Sequence, residues 1–103
     1  MKLKAYHESL IEALKDPKQA AEYLNVALEE GDPKMFLVAL RNVAEACGGM
    51  SKVSRRTKLN RANLYKIFSK SGNPEVQTLS HILKTFGLRL AVETMSSQTL
   101  KAA

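Results

Sequence analysis

Three dipeptides, Asp16-Pro17, Asp32-Pro33 and Asn73-Pro74, constrain the fold of this 103-residue chain more than any other feature. Each places a short capping side chain directly before a proline. Proline has no N–H to donate, but the first N–H of a helix has no intrahelical partner to lose. The ring's fixed φ also suits the first helical position. The three pairs therefore predict helix starts at Pro17, Pro33 and Pro74. Gln19, three residues after Asp16, predicts a capping box at the first of them.

Apolar spacing supplies the rest. A first helix is predicted over about residues 6–15, with Leu10, Ile11 and Leu14 on one side. The second covers about 17–30, with Ala20, Leu24, Ala27 and Leu28 on one stripe and Gly31 as its stop. The third covers about 33–47, turning Phe36, Leu40, Val43, Ala44 and Cys47 inward, and ends at Gly48-Gly49. A short fourth helix over about 52–58 follows a Ser51 cap, and a fifth begins after Asn60 and ends near Ser71-Gly72. The sixth covers about 74–86, with Val76, Leu79, Ile82, Leu83 and Phe86 inward, and closes at Gly87. Beyond Gly87 the period changes. Leu88, Leu90 and Val92 alternate with Arg89, Ala91 and Glu93, which predicts a short strand. No other segment reads as a strand, so its partner must come from within the domain or from a dimer mate. The expected architecture is all-α, about six helices with a short C-terminal β-strand. Residues 1–31 form an N-terminal helical extension, 32–95 the main domain and 96–103 a frayed tail.

Composition narrows the setting. The longest strictly apolar run, Met35 to Leu40, is far short of the roughly 20 residues that span a bilayer, so no membrane role is expected. No apolar stretch follows the charged N-terminus, which argues against a secretory signal. Cys47 is the single cysteine, which excludes an internal disulfide and fits a reducing cytoplasm. The net charge of +6 is unevenly distributed. Residues 1–45 hold six Lys/Arg against eight Asp/Glu, whereas residues 46–74 hold seven Lys/Arg and no acid. Self-repulsion in that window is unfavourable unless a polyanion is its neighbour.

The same window carries two short helices joined by a tight turn, the pattern of a helix-turn-helix. Val53 and Thr57 on the first helix, Leu59 in the turn, and Leu64 and Ile67 on the second can form its small core. Ser54 provides the small side chain needed where the helices cross. Asn60 can cap the second helix, directing its dipole toward phosphates. That helix then turns Arg61, Ala62, Tyr65, Lys66 and Ser69 outward, where Arg61 can grip a guanine edge and Asn63, Tyr65 and Lys66 can add base or phosphate contacts. Tyr65 can equally pack on the domain edge. Ser51, Lys52, Arg55, Arg56 and Lys58 are placed for phosphates, which position a protein without reading sequence.

These residues resemble the helix-turn-helix group typified by phage lambda repressor and Cro, the Xre-like proteins. More narrowly, "EYLNVALEEGDP" and "GNPEVQTLSHILKTFGLRL", within residues 22–90, resemble the addiction-module antidote family, the antitoxins of toxin–antitoxin pairs. The resemblance implies a dimeric repressor of its own operator and a cognate toxin of the RelE/ParE-like type. The family's turn usually carries glycine where this chain has Lys58. Either the turn is reshaped or a charge there serves against phosphate.

Two competing functions follow. The chain is expected to be a sequence-specific DNA-binding antitoxin that autorepresses its operon as a homodimer, its acidic N-terminal third meeting a basic toxin. The alternative is a stand-alone phage-type repressor. An enzyme finds no support: there is no glycine-rich phosphate loop, no metal-ligand spacing among His7, His81 and Cys47, and no paired nucleophile and base. No cofactor is implied. Cys47 reads as a small apolar residue at a helix end, and Glu8, Glu12, Glu29 and Glu30 as solvated helix faces.

Overall fold

The computed structural model describes residues 2–96. Six helices follow one another: α1 (Lys2–Ala13), α2 (Pro17–Glu29), α3 (Pro33–Ala46), α4 (Met50–Thr57), α5 (Arg61–Ile67) and α6 (Val76–Thr85). Two of the three cap–proline pairs behave as the sequence dictates. Asp16 and Asp32 accept hydrogen bonds from the N–H groups of Lys18 and Lys34, at 3.0 and 2.9 Å, with the proline at the start of each helix. Gln19 returns no bond to Asp16, whose own N–H is already given to the Ala13 carbonyl at 3.2 Å. The third pair departs from expectation. Helix α6 begins at Val76 behind Glu75, with no side-chain cap, so Asn73-Pro74 belongs to the preceding loop.

Helix α3 is the centre of the fold. Its Leu40, Val43 and Ala44 are wholly buried, and α1, α2 and α4 all pack against it. Leu14, Ala20 and Leu24 join one core cluster with Val53, Leu64, Ile67, Phe68, Ile82, Leu83 and Phe86. Burying a side chain such as Phe68, 1% exposed, contributes about 2–3 kcal/mol. The expected inward faces hold in part. Leu28, near the end of α2, is 54% exposed, Val76 is 73% exposed because it opens α6, and Leu10, Ile11, Cys47 and Leu79 are only half-buried against the core. Helix α1 starts earlier than its apolar spacing suggests. It buries none of its own residues, and Leu14, just past its end, anchors it.

Helix α5 stops at Ile67 rather than continuing to Ser71. Ser69 takes the Lys66 carbonyl twice, through its hydroxyl at 2.7 Å and its N–H at 3.2 Å, which turns the chain away. Gly72 then donates to the Ser69 carbonyl at 2.9 Å and lies hard against the Ile67 carbonyl, where any Cβ would collide with backbone.

The expected C-terminal strand is absent. Residues 88–96 carry neither helix nor ladder, and Leu88 instead gives its N–H to the Leu83 carbonyl at 2.9 Å. The alternating pattern is present, but nothing among the described residues offers it an edge to pair with. Of the expected tail 96–103, all but Ser96 lies outside the described residues.

Candidate nucleic-acid interface

The site is built on α4, a three-residue turn and α5. Gly48 and Gly49 reverse the chain out of α3 with φ values of 110° and 87°, a region costly for any residue with a Cβ. This lets α4 start at Met50 with Gly49 at its N-cap. Ser51, the expected cap, lies inside the first turn and faces solvent. Val53 and Thr57 turn inward, 2% and 4% exposed, and meet Leu64 and Ile67 of α5 as expected.

The turn is held by side chains at both polar atoms of Leu59. Ser54 donates its hydroxyl to the Leu59 carbonyl at 2.6 Å, and the Leu59 N–H donates to the Thr57 hydroxyl at 3.2 Å. Thr57 passes its own proton to the Val53 carbonyl at 2.7 Å. A third contact comes from α6, where the His81 Nε2–H donates to the Thr57 carbonyl at 2.9 Å. Lys58 sits between these bonds with φ 64° and ψ 16°, the one non-glycine residue at positive φ among those described. The turn therefore keeps its left-handed corner. Lysine occupies it at a cost of about 1–2 kcal/mol, offset by the three bonds around it. Asn60 caps α5 as its identity suggests, accepting from the Asn63 N–H at 2.7 Å.

With the apolar residues fixed inward, the outer surface is determined. Ser51, Arg55, Arg56, Lys58, Asn60, Arg61, Ala62, Asn63, Tyr65 and Lys66 are exposed, and Lys52 and Ser69 half-buried. Lys52 lays its stem against Gly48. Two positions are partly engaged already. The Ser69 hydroxyl is bonded to the Lys66 carbonyl and faces Ser71, and Arg56 donates to the Thr85 carbonyl at the end of α6, at 3.4 Å. Among the described residues the basic side chains that meet a carboxylate are His7, with Glu45 at 3.1 Å, and Lys15, with Glu12 at 2.8 Å. None of the seven basic residues between positions 46 and 74 has a carboxylate partner there.

One contributor was illegible in the sequence. Arg41 of α3 lies among the net-negative residues 1–45, yet its guanidinium sits 5.7 Å from the centre of the Tyr65 ring. A cation–π contact at such an exposed site is worth about 0.5–1 kcal/mol. It also adds a positive group beside those of α4 and α5. No spacing rule links residues 24 positions apart on separate helices. Behind the same surface, partial burial raises the Cys47 thiol above its ordinary value of 9.0, with Arg56 and Lys52 pulling the other way. A thiol kept protonated in this manner is a poor nucleophile.

This surface presents fixed cations, an amide side chain and an aromatic ring without competing carboxylates, the chemistry that suits a phosphate backbone and base edges. The described residues hold no group of His, Cys, Asp and Glu that could bind a metal ion, and no helix among them is long and apolar enough to cross a membrane. No solved structure matches the chain. An uncharacterized protein of Haemophilus influenzae is 33% identical over 82 residues, which cover 80% of this chain and 84% of that protein. A family model described as "Probable addiction module antidote protein" matches residues 4–94. With that pattern running through all six helices, the chain belongs to the family of probable addiction module antidote proteins.

Proposed function

We propose that this protein is the antitoxin of a toxin–antitoxin module and that it represses its own operon from the cytoplasm by binding operator DNA as a homodimer. In this reading α4, the Lys58–Asn60 turn and α5 act as an Xre/lambda-repressor-like helix-turn-helix. Arg61, Asn63, Tyr65 and Lys66 face base edges, and Ser51, Lys52, Arg55, Arg56 and Lys58 grip phosphates. The observation that carries the reading is the acid-free basic surface of α4 and α5, left outward when Val53, Leu64 and Ile67 turn into the core. Such a surface repels itself and is relieved by a polyanion. Two copies would address successive major grooves about 34 Å apart on a pseudo-palindromic site. The toxin, of the RelE/ParE-like type, would meet the acidic N-terminal part of the chain, where residues 1–45 carry eight acids against six bases. Regulation by binding, rather than catalysis, is what family membership supports.

The test is fluorescence anisotropy on duplex DNA from upstream of the protein's own gene, across a salt series. With about 6–10 phosphate contacts in the complex, affinity should fall roughly 10³–10⁵-fold between 50 and 200 mM salt. Failure to bind at the lowest salt removes the DNA reading. Co-purification with the product of the adjacent reading frame tests the toxin, and failure to form a complex leaves a plain repressor.

A further inference from the structure

The segment after α6 has the composition of a paired element but no pair. Among the described residues, none from Arg89 to Met95 makes a main-chain hydrogen bond, and Leu90, Val92 and Met95 are 41%, 101% and 47% exposed. Exposed apolar side chains alternating along a backbone with open donors and acceptors form a template for another chain. Leu88, half-buried against the core, fixes the root of this segment to the body.

The sequence of the segment selects its partner. When two copies of "LRLAVET", residues 88–94, lie antiparallel about a two-fold axis at Ala91, residues whose numbers sum to 182 stand opposite one another. Arg89 then faces Glu93 of the second copy, and Glu93 faces its Arg89. On the other surface Leu90 faces Val92 twice. Both charge pairs are opposite in sign and both apolar pairs are matched. Other registers lose this: centring on Arg89 or on Glu93 sets like charges face to face, and a slip of one residue sets Glu93 against Leu90. Self-complementarity of this kind is what an isologous interface requires, and an unrelated partner would not require it.

We propose that residues 88–94 are the surface through which two copies of this chain associate, paired antiparallel through their main chains with Ala91 on the two-fold axis. The segment is irregular in the single chain because its partner lies in the second molecule. The inference rests on the homodimer of the proposed function and gives it an address, on the opposite side of α6 in sequence from the basic surface.

Sedimentation velocity over a concentration series of the full chain tests it. The wild type should sediment at twice the 11.4 kDa monomer mass. Arg89→Glu and Glu93→Arg each turn both opposite-charge pairs into like-charge pairs, so each should self-associate at least about tenfold more weakly. Because both positions are exposed, circular dichroism should show both variants folded. An equimolar mixture of the two variants should recover the dimer, since two carboxylates in one copy and two guanidinia in the other again make two matched pairs across the axis. The double variant should recover it alone. A wild type monomeric throughout, single variants that dimerise as the wild type does, or a mixture that stays monomeric would each overturn the proposal. A monomer that still binds duplex DNA removes this interface and leaves the DNA reading intact. A dimer that shows the charge-swap pattern but binds no DNA supports the interface and removes that reading.

Discussion

Thr57→Val tests whether the turn between α4 and α5 is held by the bonds described. The side chain is 4% exposed, and valine nearly preserves its shape, so transfer and cavity effects are small. What changes is the hydroxyl. The Val53 carbonyl keeps its helical bond, but the Leu59 N–H loses its acceptor at 3.2 Å in a half-buried turn where no other acceptor is in place. Leaving such a donor unsatisfied costs about 1–3 kcal/mol. A methyl group also takes the place of an oxygen that stood 2.7 Å from the Val53 carbonyl, closer than carbon tolerates. For a chain of this size each kcal/mol lowers Tm by roughly 4–8 °C. Urea unfolding should show a lower midpoint with an unchanged slope, because the surface exposed on unfolding is the same. Ser54→Ala removes the other bond to Leu59, at 2.6 Å, and the two substitutions together should cost less than their sum, since both act on one turn. A Thr57→Val protein within about 0.5 kcal/mol of wild type would show that water replaces the hydroxyl freely and that the turn is held by packing alone.

Three further outcomes are expected. Arg61→Ala should relax the preference among DNA sequences, whereas Lys52→Ala should weaken binding to all duplexes alike and reduce the salt slope by about 0.9; equal specificity ratios for the two variants would void the division between base-reading and phosphate-gripping residues. Arg41→Ala should lower affinity for duplex DNA severalfold with a Tm change of only a few degrees, read by anisotropy and thermal melting, because it removes a cation and frees the Tyr65 ring. Gly72→Ala should destabilise by more than about 1 kcal/mol in urea unfolding, since its Cβ meets the Ile67 carbonyl and the end of α5 must shift to admit it.

Helix number, order and approximate length were fixed by local rules. Asp16, Asp32 and Asn60 each cap the helix that follows because the bond they make reaches only two or three residues along the chain. The basic window and its inward-facing Val53, Thr57, Leu64 and Ile67 were equally legible, because periodicity and charge are properties of a single segment. The misjudged elements depended on more than their own composition. Asn73-Pro74 has a cap's composition, but the bonds around Ser69 and the close approach of Gly72 to Ile67 carry the chain through a loop before α6 begins. Residues 88–93 have a strand's alternation, but a strand is a relation between two backbones and the single chain supplies one.

The sequence by itself determined an acid-free helix pair and a family pattern spanning nearly the whole chain, because both are written in residue identity and spacing. Only the tertiary structure placed Arg41 over Tyr65 and His81 beneath Thr57, and only it showed that Lys58 keeps the left-handed corner. The physical reason is range: capping, periodicity and charge act over a few residues, whereas a cation–π contact or a bond between helices exists only once packing has brought distant residues together.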